Sequence, residues 1–532
     1  MEKLILKGPK IADNVKMGIG EYFWETAEKY GDRTFQIDPL TDKEDTFLEV
    51  KTRAVRIAIQ LRKMGFKPRD KILIFCDSNI DIMVLVLAAL LLGGTVASLP
   101  LFELYDSTYV ISDIKPQFIF TIDKNVKVVL EAMKSINYEP IIGIFEKSNQ
   151  YPNMSEMENI ISEEENTFKP FKVDIYDAAF ILFTSGTTSI PRGVTFSHFS
   201  TLAGIVRPPL YDITCPSLVF TELNNISQLW VIGRSIFFGQ KIILASKLTA
   251  EQCCEAIEKY KVFYLFVYYS RMVDFANLDS SIREKYSLAS VKQVYTGGAF
   301  VSPKYISKLR STFKEAVVNQ IYGSTELGCS TQWFGSDNEA YENKLDSVGK
   351  LSANMELKIV DLETRSILGP NKTGEILIKS PYAMLKFSSG EIFKKIDENG
   401  FLLTGDLGYY DEKGYIFILE RISELFKYKY IHIKPTLVEE ILKNHSAVEE
   451  AVFFGIHDDV NYNVLAGYVV LKKKKQATVE ELSNFIAENL SDLHRPTGGI
   501  TFLESLPYTG TGKIMRRELK RKFLAERNAL HS

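Results

Sequence analysis

The chain has 532 residues, of which 45% are hydrophobic, so it can bury large cores and is expected to fold as a soluble protein of more than one domain. Its formal net charge of −3 shows no excess of basic surface, which argues against nucleic acid or an anionic membrane as the main partner. A small molecule is therefore the expected partner, and the sequence indicates no particular oligomeric state.

The cysteines and the two chain ends favour a cytoplasmic location. Five scattered cysteines form no CxxC pair and no metal-ligand spacing, which argues for a reducing compartment. The first ten residues are too short and too charged for a secretory signal, and the C-terminal ALHS lacks the peroxisomal S-K-L tripeptide. The longest apolar run, residues 82–97, is shorter than the roughly 20 residues that span a bilayer. It predicts a buried helix running into a strand, and no transmembrane segment is expected.

Short β-branched runs alternate with helical patterns over the first four hundred residues. They are KILIFC (71–76), QFIFTI (117–122), PIIGIF (140–145), AAFILF (178–183), KIILA (241–245), VFYLFV (262–267) and VKQVY (291–295). Continuous apolar strands separated by helices are typical of parallel sheets that are covered on both faces. The pattern predicts an α/β domain with two parallel-rich sheets flanked by helices.

The pattern changes near residue 350. The runs LKIVDL and GEILIKS, followed by turns rich in Gly and Asn, predict hairpins in a β-rich subdomain at about 350–419. Beyond Glu420, the helical patterns PTLVEEILKNH and VEELSNFIAENL, the strands AVFFGI and AGYVVLK, and a basic amphipathic tail predict a compact α+β unit. We therefore divide the chain into a large N-terminal domain, 1–419, and a small C-terminal domain, 420–532.

The segment FTSGTTSIPRG, residues 183–193, concentrates hydroxyls and glycines directly after an apolar strand. Backbone N–H groups and hydroxyls in such a loop can wrap a cluster of oxyanions, while Gly186 and Gly193 lift steric limits on the backbone. It is not a Walker loop, because Gly193 is followed by Val194-Thr195 and not by Lys-Ser or Lys-Thr. Taken alone, the segment fits a phosphate-binding loop and a Ser/Thr-rich surface turn equally well.

Three further motifs follow in order. They are YGSTE (322–326) after the strand-like VVNQI, TGD (404–406) before a hairpin pattern, and TGTGK (509–513) near the C-terminus. In this combination and order the chain resembles the adenylate-forming superfamily, which includes acyl- and aryl-CoA synthetases, 4-coumarate ligases and beetle luciferases. The segments KGP (7–9), TGGAFVS (296–302) and QIYGSTE (320–326), and the run from TGD through FKYK, are similar to insect luciferase-like acyl-CoA synthetases. The resemblance covers nearly all of the chain and implies that the small domain is mobile about a hinge near Glu420.

The resemblance also implies an activity. Members of the superfamily catalyse the attack of a substrate carboxylate on the α-phosphate of ATP, which gives acyl-AMP and pyrophosphate. Many of them then transfer the acyl group to coenzyme A. The barrier is electrostatic, because an anionic nucleophile approaches a polyanion, so cations and aligned donors matter most. The expected cofactors are ATP, Mg²⁺ and coenzyme A, and the expected substrate is a carboxylic acid, in particular a medium- or long-chain fatty acid.

The phosphate side of the site is carried over residue by residue. The resemblance implies that the β- and γ-phosphates are held by Thr184, Ser185, Gly186, Thr187, Thr188 and Arg192. It implies that Glu326 is the Mg²⁺ ligand and Thr325 a phosphate contact. The superfamily usually has Gly and Lys where this chain has Ser189 and Arg192, and Arg192 keeps the charge and adds a second set of donors.

The nucleoside and catalytic groups follow from the same resemblance. The adenine pocket is expected from Tyr322, Gly297, Gly298 and Ala299, with Gly323 and Lys427 as further cofactor contacts. Asp406 is expected to accept hydrogen bonds from the ribose hydroxyls, with Arg421 beside it. Lys513 is expected to bridge the carboxylate and the α-phosphate, and its alternative is a surface lysine in a basic tail. His198 matches a family histidine and is either part of the site or a core residue.

The sequence departs from the superfamily pattern in two regions. The position of a usual glycine after the hinge is Tyr430, and that of a usual glutamate is Leu437; a tyrosine where backbone approaches a ligand is a steric problem, so thioester formation is in doubt. Asn224 and Asn225 stand where an aromatic or His-His-Gly-type pair usually lines the acyl pocket, and buried amides need hydrogen-bond partners.

Three functions are therefore compared. The first is an ATP-dependent fatty acid–CoA ligase, the second an insect luciferase that oxygenates a luciferyl adenylate, and the third a degenerate, non-enzymatic acyl or nucleotide binder. Loss of the thioester-pose glycine is tolerated in the second. The presence of Lys513, Glu326 and Asp406 argues against the third.

Overall fold

The structure is a computed structural model of the chain. It describes residues 4–12, 15–76, 79–99, 104–184, 192–203, 215–220, 226–298, 301, 303–333, 342–384, 386–388, 396–428, 431–458, 462–508 and 513–531.

The strands of the described residues are, in chain order, β1 Leu6–Lys7, β2 Thr34–Asp38, β3 Lys43–Thr46, β4 Lys71–Phe75, β5 Thr95–Ser98, β6 Phe118–Thr121, β7 Ile141–Ile144, β8 Ala178–Thr184, β9 Arg192–Ser197, β10 Ser217–Val219, β11 Ile242–Leu244, β12 Tyr264–Tyr268, β13 Gln293–Gly297, β14 Val317–Ile321, β15 Gly323–Ser324, β16 Gly328–Cys329, β17 Thr331–Gln332, β18 Lys350–Leu351, β19 Glu356–Val360, β20 Ile367–Leu368, β21 Gly374–Lys379, β22 Lys386–Phe387, β23 Leu402–Tyr410, β24 Ile416–Arg421, β25 Phe426–Tyr428, β26 Ile431–Ile433, β27 Val448–Asp458, β28 Tyr462–Leu471 and β29 Gly499–Leu503.

The α-helices of the same residues are α1 Ile19–Tyr30, α2 Phe47–Lys63, α3 Asp81–Leu91, α4 Leu104–Ile114, α5 Val126–Ile136, α6 Met154–Asn159, α7 His198–Ala203, α8 Ile226–Phe238, α9 Ala250–Tyr260, α10 Tyr269–Ala276, α11 Ser280–Lys285, α12 Pro303–Thr312, α13 Pro435–Lys443, α14 Val479–Asn489 and α15 Arg516–His531. Short 3₁₀ turns lie at Asp123–Asn125, Glu163–Thr167 and Asp492–His494.

Two sheets of seven described strands each form the body of the N-terminal part. The first has the order β22-β9-β8-β5-β4-β6-β7, and its pairs from β8 to β7 are parallel. The second has the order β14-β13-β12-β10-β11-β2-β3 and is parallel from β14 to β2. Each ends in antiparallel strands, β9 and β22 in the first sheet and β3 in the second.

Helices α1, α2 and α3 share one hydrophobic core with residues of both sheets. Every residue of α3 from Ile82 to Leu91 is buried, because DIMVLVLAALL offers no polar face beyond its first residue. Helix α2 begins after Thr46, which caps it. The Thr46 hydroxyl accepts a hydrogen bond from the Glu49 amide at 3.1 Å, and the Glu49 carboxylate accepts one from the Thr46 amide at 2.7 Å. The apolar run 82–97 thus forms a buried helix followed by the buried strand β5, as predicted.

A third, antiparallel sheet has the order β1-β19-β21-β23-β24, with β20 beside β19. Its edge strand β1 comes from the start of the chain and pairs Leu6 with Leu357. The sequence indicated the hairpins of this β-rich region but not the participation of β1, because two residues are too few for a strand pattern.

The residues from Phe426 to Phe523 bury a hydrophobic core of their own. It lies around the sheet β27-β28-β29, against helices α13 and α14 and the start of α15. This α+β region is called the C-terminal unit below, and the residues before Glu420 are called the N-terminal unit.

The fold class predicted from the sequence is confirmed. Each of the predicted apolar runs between residues 71 and 295 contains a strand, and both parallel-rich sheets are present. Among the residues that the structure describes, no helix has both the length and the hydrophobicity needed to cross a bilayer.

Candidate active site

Two of the motifs follow neighbouring parallel strands of the second sheet. Strand β13 ends at Gly297 and β14 at Ile321, and these two residues are register partners. Gly298 and Tyr322 therefore leave the sheet side by side, at the carboxyl edge where α/β folds bind ligands. Gly298 has φ of 82°, a left-handed conformation that suits glycine, and it opens the chain toward the site.

Tyr322 is fixed at both its backbone and its side chain. Its amide donates to Thr331 Oγ1 at 2.8 Å, and its hydroxyl donates to Asp406 Oδ2. The next residue, Gly323, has no room for a side chain, since a Cβ would lie 2.2 Å from the carbonyl oxygen of Gly328. Tyr322, predicted to line the adenine pocket, is thus hydrogen-bonded to Asp406, the predicted ribose-binding carboxylate, which lies 84 residues away in sequence.

Asp406 lies on β23, opposite Arg421 on β24. The two are register partners, and Arg421 Nε lies 2.9 Å from Asp406 Oδ1. Arg421 Nη1 also donates to the Thr404 carbonyl at 3.1 Å, and the Asp406 amide donates to Thr404 Oγ1 at 3.0 Å. The TGD motif and Arg421 therefore form one rigid hydrogen-bonded corner of the third sheet.

The surroundings of this corner raise the pKa of both Asp406 and Tyr322. Burial raises the pKa of Asp406, and the charge of Arg421 and the hydrogen bond from Tyr322 oppose that rise. The pKa of Tyr322 is raised well above its usual range by burial and by the neighbouring Asp406 charge. A phenol that stays protonated remains a donor, so the Tyr322–Asp406 contact persists across the physiological pH range.

Lys513 of the C-terminal unit reaches this site. A Cβ built on Gly298 would lie 4.0 Å from Lys513 Cε, and the Lys513 charge interacts with those of Asp406, Glu326 and Arg421. Lys513 as a whole residue is exposed to solvent, although its side chain extends to Gly298. The pKa of Lys513 is lowered, first by removal from solvent and then by the charge of Arg421, while Asp406 and Glu326 act in the opposite sense.

The hydroxyl-rich loop leaves and re-enters the first sheet at one point. Thr184 ends β8, Arg192 begins β9, and these two residues are antiparallel register partners. Arg192 is exposed, with its guanidinium carbon 5.8 Å from the centre of the Phe387 ring. The predicted phosphate residues Ser185, Gly186, Thr187 and Thr188, and also Ser189, lie outside the described residues, so their role stays a prediction.

Thr325 and Glu326 follow Tyr322 and are half-buried. The Glu326 carbonyl accepts the Met384 amide at 2.9 Å, which fixes the backbone of Glu326. Among the described residues, no group of three or more His, Cys, Asp or Glu side chains is arranged to hold a metal. A single carboxylate fits Mg²⁺ that is shared with phosphate oxygens and water, since Mg²⁺ is usually held by one or two carboxylates plus substrate phosphates.

His198 lies away from these groups, at the start of α7. It is fully buried, and its Nδ1 accepts the Ile19 amide at 3.2 Å. Burial lowers its pKa to about 4. These contacts are those of a core residue that joins α7 to α1, the alternative that the sequence left open, and they do not place His198 beside Tyr322, Asp406 or Lys513.

Glu420, the predicted hinge residue, is buried at the end of β24 and bonded to the C-terminal unit. Its Oε1 accepts the Arg421 amide at 3.1 Å, and its Oε2 accepts both the hydroxyl and the amide of Thr436, the latter at 3.3 Å. Burial raises the pKa of Glu420. The carboxylate thus caps the first turn of α13 and ties the two units together in this arrangement.

Several other predicted positions are only partly placed. Lys427 lies in β25, opposite His432 of β26. Ala299, Asn224, Asn225 and Tyr430 lie outside the described residues. Leu437 is half-buried in α13. A cavity of about 470 Å³ in the C-terminal unit contains none of the predicted site residues; it is lined by Ser423, Phe454, Asn463, Arg516, Arg517 and Lys520 among others.

The sequence did not reveal the residues that fix the backbone of the site residues by hydrogen bonds. Thr331 fixes the Tyr322 backbone, and Met384 binds the carbonyl of Glu326. Thr404 carries the Asp406 amide, and its place in TGD was the one available signal. Thr331 and Met384 stand in no motif, so pattern alone could not identify them.

The three sheets, the corner at Asp406 and the lysine that a separate unit brings to it define an adenylate-forming enzyme. Residues 23–387 match the AMP-binding enzyme family, and residues 437–513 match the AMP-binding enzyme C-terminal domain. The chain belongs to this family.

Its relatives include CoA ligases and luciferases. The chain is 29% identical over 504 residues to a probable CoA ligase of Humulus lupulus, covering 91% of this chain and 89% of the relative. It is 27% identical to the luciferin 4-monooxygenase of Photuris pensylvanica, covering 99% of this chain and 100% of the relative.

Solved structures agree with this assignment. The luciferase-like enzyme from the nonluminescent mealworm Zophobas morio is 33% identical, with a TM-score of 0.74 over 79% of this chain and 100% of that one. ATP-bound MatB from Rhodopseudomonas palustris has a TM-score of 0.84 at 19% identity over 95% of this chain and 99% of that one, which shows the shared fold.

Proposed function

We propose that the protein activates a medium- or long-chain fatty acid with ATP and Mg²⁺ to give acyl-AMP and pyrophosphate, and then transfers the acyl group to coenzyme A. The observation that carries the proposal is the position of Lys513, which lies against Gly298 and within electrostatic reach of Asp406 and Glu326. In this position the C-terminal unit presents the lysine of TGTGK to the site formed by the N-terminal unit.

Each charged group has a task in the proposed first step. Asp406 accepts hydrogen bonds from the ribose hydroxyls, and Arg421 and Tyr322 hold its carboxylate in place. Lys513 offsets the negative charge that builds up where the substrate carboxylate meets the α-phosphate. Glu326 would hold Mg²⁺, which supplies charge neutralisation at the phosphate oxygens when it is bound.

The choice of a fatty acid rests on the likeness to luciferase-like enzymes. The 33% identity to the enzyme of the nonluminescent mealworm supports a luciferase-like chain whose activity is not light emission. The amides of Asn224 and Asn225 are expected to make the acyl pocket more polar than is usual, or to hold water there.

Transfer to coenzyme A is supported by the CoA ligases among the relatives. Tyr430 and Leu437 weigh against it, because Tyr430 occupies the position where a glycine lets the backbone approach the thiol-bearing arm. We therefore expect a thioester step that is slower than adenylation.

A luciferase is the second candidate, and the full-length match to a luciferin 4-monooxygenase favours it. It would use the same adenylation site and would not need the glycine that Tyr430 replaces. A degenerate binder is the third candidate, and the clustering of Lys513, Asp406 and Arg421 argues against it.

One experiment separates the three. Purified protein is incubated with ATP, Mg²⁺ and a panel of medium- and long-chain fatty acids, hydroxycinnamic acids or luciferin, with and without coenzyme A. Acyl-CoA identified by mass spectrometry supports the ligase, and pyrophosphate release without acyl-CoA supports an enzyme that adenylates only. Light with luciferin supports the luciferase, and the absence of turnover with every acid supports the binder. The Lys513→Ala protein is the background control, and Lys473→Ala, in the exposed KKKK run, controls for loss of a lysine elsewhere in the same unit.

A further inference from the structure

Two short segments, called the two legs below, flank residues 509–512 and are paired with each other: the first leg is 507–508 and the second leg is 513–516. Tyr508 and Ile514 form an antiparallel bridge, and the Met515 amide donates to the Pro507 carbonyl at 3.0 Å. The residues between them are Thr509, Gly510, Thr511 and Gly512. Because the bridge joins Tyr508 to the residue that follows Lys513, the position of Lys513 depends on how the two legs are held.

The leg after Lys513 is held by Arg516. Its side chain is 19% exposed and donates from Nη2 to Glu439 Oε2 at 3.0 Å and from Nη1 to the Phe453 carbonyl at 2.7 Å. Glu439 is buried and also accepts the Phe453 amide at 2.7 Å. This leg is therefore fixed to α13 and β27 by a bidentate ion pair.

The leg before Lys513 is held by Tyr508. Its hydroxyl donates to Glu450 Oε1, and Glu450 lies on β27, paired with Val470 of β28. Burial and the Glu450 carboxylate raise the pKa of Tyr508, so the phenol remains a donor. Tyr508 is thus the residue through which the first leg is bonded to the central sheet of the C-terminal unit.

The Tyr508–Glu450 pair also faces the N-terminal unit. Tyr269, the first residue of α10, and Tyr305 on α12 pack edge to face with ring centres 6.3 Å apart. The charge of Glu450 acts on both, and burial followed by the charges of Glu450 and Glu439 raises the pKa of Tyr269 to about 12. Helix α12 follows the segment that contains Gly298. Tyr508, Glu450, Tyr269 and Tyr305 are called the tyrosine cluster below. The tyrosine cluster and the contact of Lys513 with Gly298 therefore both lie where the C-terminal unit meets the N-terminal unit.

We propose that Tyr508 is a positioning residue for adenylation: its bond to Glu450, close to Tyr269 and Tyr305, holds the first leg so that Lys513 reaches the site beside Gly298. This inference rests on the proposed adenylation function. The cluster defines the pose of the C-terminal unit in which Lys513 acts. A small displacement of a reacting group is costly, since about 1 Å of misplacement can slow a reaction on the order of 10²-fold.

The test replaces Tyr508 by Phe, which keeps the ring and removes only the hydroxyl. The kcat of carboxylate-dependent pyrophosphate exchange is expected to fall about 10-fold or more, while the KM for ATP and the melting temperature stay unchanged. Consumption of a synthetic acyl-adenylate, which needs no adenylating lysine, is expected to stay at the wild-type rate. Tyr286→Phe is the matched control, because Tyr286, the residue after α11, also donates to a glutamate, Glu251 of α9, at 3.5 Å, and this pair lies in the N-terminal unit outside the cluster.

A double-mutant cycle with Glu450→Gln adds a second criterion. If the two residues act as one pair, the loss in the double variant is smaller than the product of the two single losses. Losses that multiply independently overturn the pairing. A fall in melting temperature with equal slowing of both half-reactions would show that Tyr508 only stabilises the fold.

A measurement that does not depend on turnover separates this inference from the proposed function. Labelling of Lys513 by an amine-reactive reagent, followed by mass spectrometry, is expected to change in rate in Tyr508→Phe and not in Tyr286→Phe. If the wild type adenylates no acid but labelling changes, the positioning holds and the proposed function fails. If labelling and kcat are both unchanged, the positioning role is refuted whatever the wild-type activity.

Discussion

Asp406 and Arg421 are paired twice, once through the backbone and once through their side chains. They face each other in the β23–β24 register, and Arg421 Nε lies 2.9 Å from Asp406 Oδ1. Because neighbouring strands fix the register, the ion pair needs little further ordering of the chain, although Arg421 is 53% exposed and the pair is screened by water. Its value lies in orientation: it turns one carboxylate oxygen toward Arg421 and leaves the other to Tyr322.

The first prediction concerns Asp406. Asp406→Asn removes the charge while keeping the size of the side chain, so the proposed ribose contact weakens. A hydrogen bond to a charged group contributes about 1.5–3 kcal/mol, so the KM for ATP is expected to rise about 10- to 100-fold. Asp411→Asn is the control, since Asp411 follows β23 directly and pairs with Lys344 at 2.7 Å. Equal KM values for Asp406→Asn and the wild type would exclude Asp406 from nucleotide binding.

The second prediction concerns Lys513. Lys513→Ala is expected to abolish pyrophosphate exchange, a loss of at least about 10²-fold, because a preorganised charge at the developing negative charge is removed. ATP binding measured by calorimetry is expected to stay within a few-fold of the wild type, and Arg517→Ala controls for the loss of a neighbouring cation. Near-normal exchange in Lys513→Ala would refute the assignment.

The third prediction concerns the second half-reaction. Tyr430→Gly removes a side chain where the backbone is expected to approach the thiol-bearing arm, so the yield of acyl-CoA per acyl-adenylate should rise. Tyr430→Phe keeps the bulk and should leave that ratio as it is. Both variants are compared by quantifying acyl-AMP and acyl-CoA after identical reaction times. An unchanged ratio in Tyr430→Gly would contradict the steric argument.

The fourth prediction concerns stability in acid. His198 has a pKa of about 4 in the folded protein against 6.5 in its unperturbed state. As the pH falls from 6.5 to about 4, the unfolded chain therefore gains a proton at His198 that the native protein does not bind. The contribution of His198 to the free energy of unfolding is therefore complete above pH 6.5. It falls by about 3 kcal/mol as the pH decreases from 6.5 to about 4.

His198→Asn provides the comparison, because the amide oxygen of Asn can accept the Ile19 amide in place of Nδ1. Urea unfolding at a series of pH values is expected to show a shallower decline for the variant than for the wild type between pH 6.5 and 4. Parallel declines would mean that His198 does not contribute to the pH dependence. Unchanged adenylation by the variant would further support a core role.

The sequence predicts much of this architecture because buried parallel strands are continuous apolar runs, as in β4, β6 and β8. The resemblance also implies that Gly298 and Tyr322 share the adenine pocket, and in the structure both follow neighbouring strands that end at one edge of a sheet. The family is confirmed by matches to both parts of the chain. The division at Glu420 and the roles of the individual site residues remain predictions.

Other relationships could not be predicted, because they depend on how distant elements pack. Nothing local to Tyr322 indicates that its hydroxyl binds Asp406, and nothing in TGTGK indicates that Tyr508 binds Glu450. His198 shows the opposite limit: a residue type common in active sites stands beside a motif, and burial against α1 gives it structural contacts.

The two-residue strand β1 has a practical consequence for anyone handling the protein. Leu6 and Lys7 cover the edge of β19, and the Tyr410 hydroxyl donates to the Leu4 carbonyl at 3.2 Å. A truncation or proteolytic cut that removes these residues would leave one edge of β19 unpaired at Glu356 and Leu357 and open to another chain, although β20 and β21 would still pair with the rest of the strand. Preparations trimmed at this end should therefore self-associate more readily, so an affinity tag is better left attached there than cleaved close to Leu6.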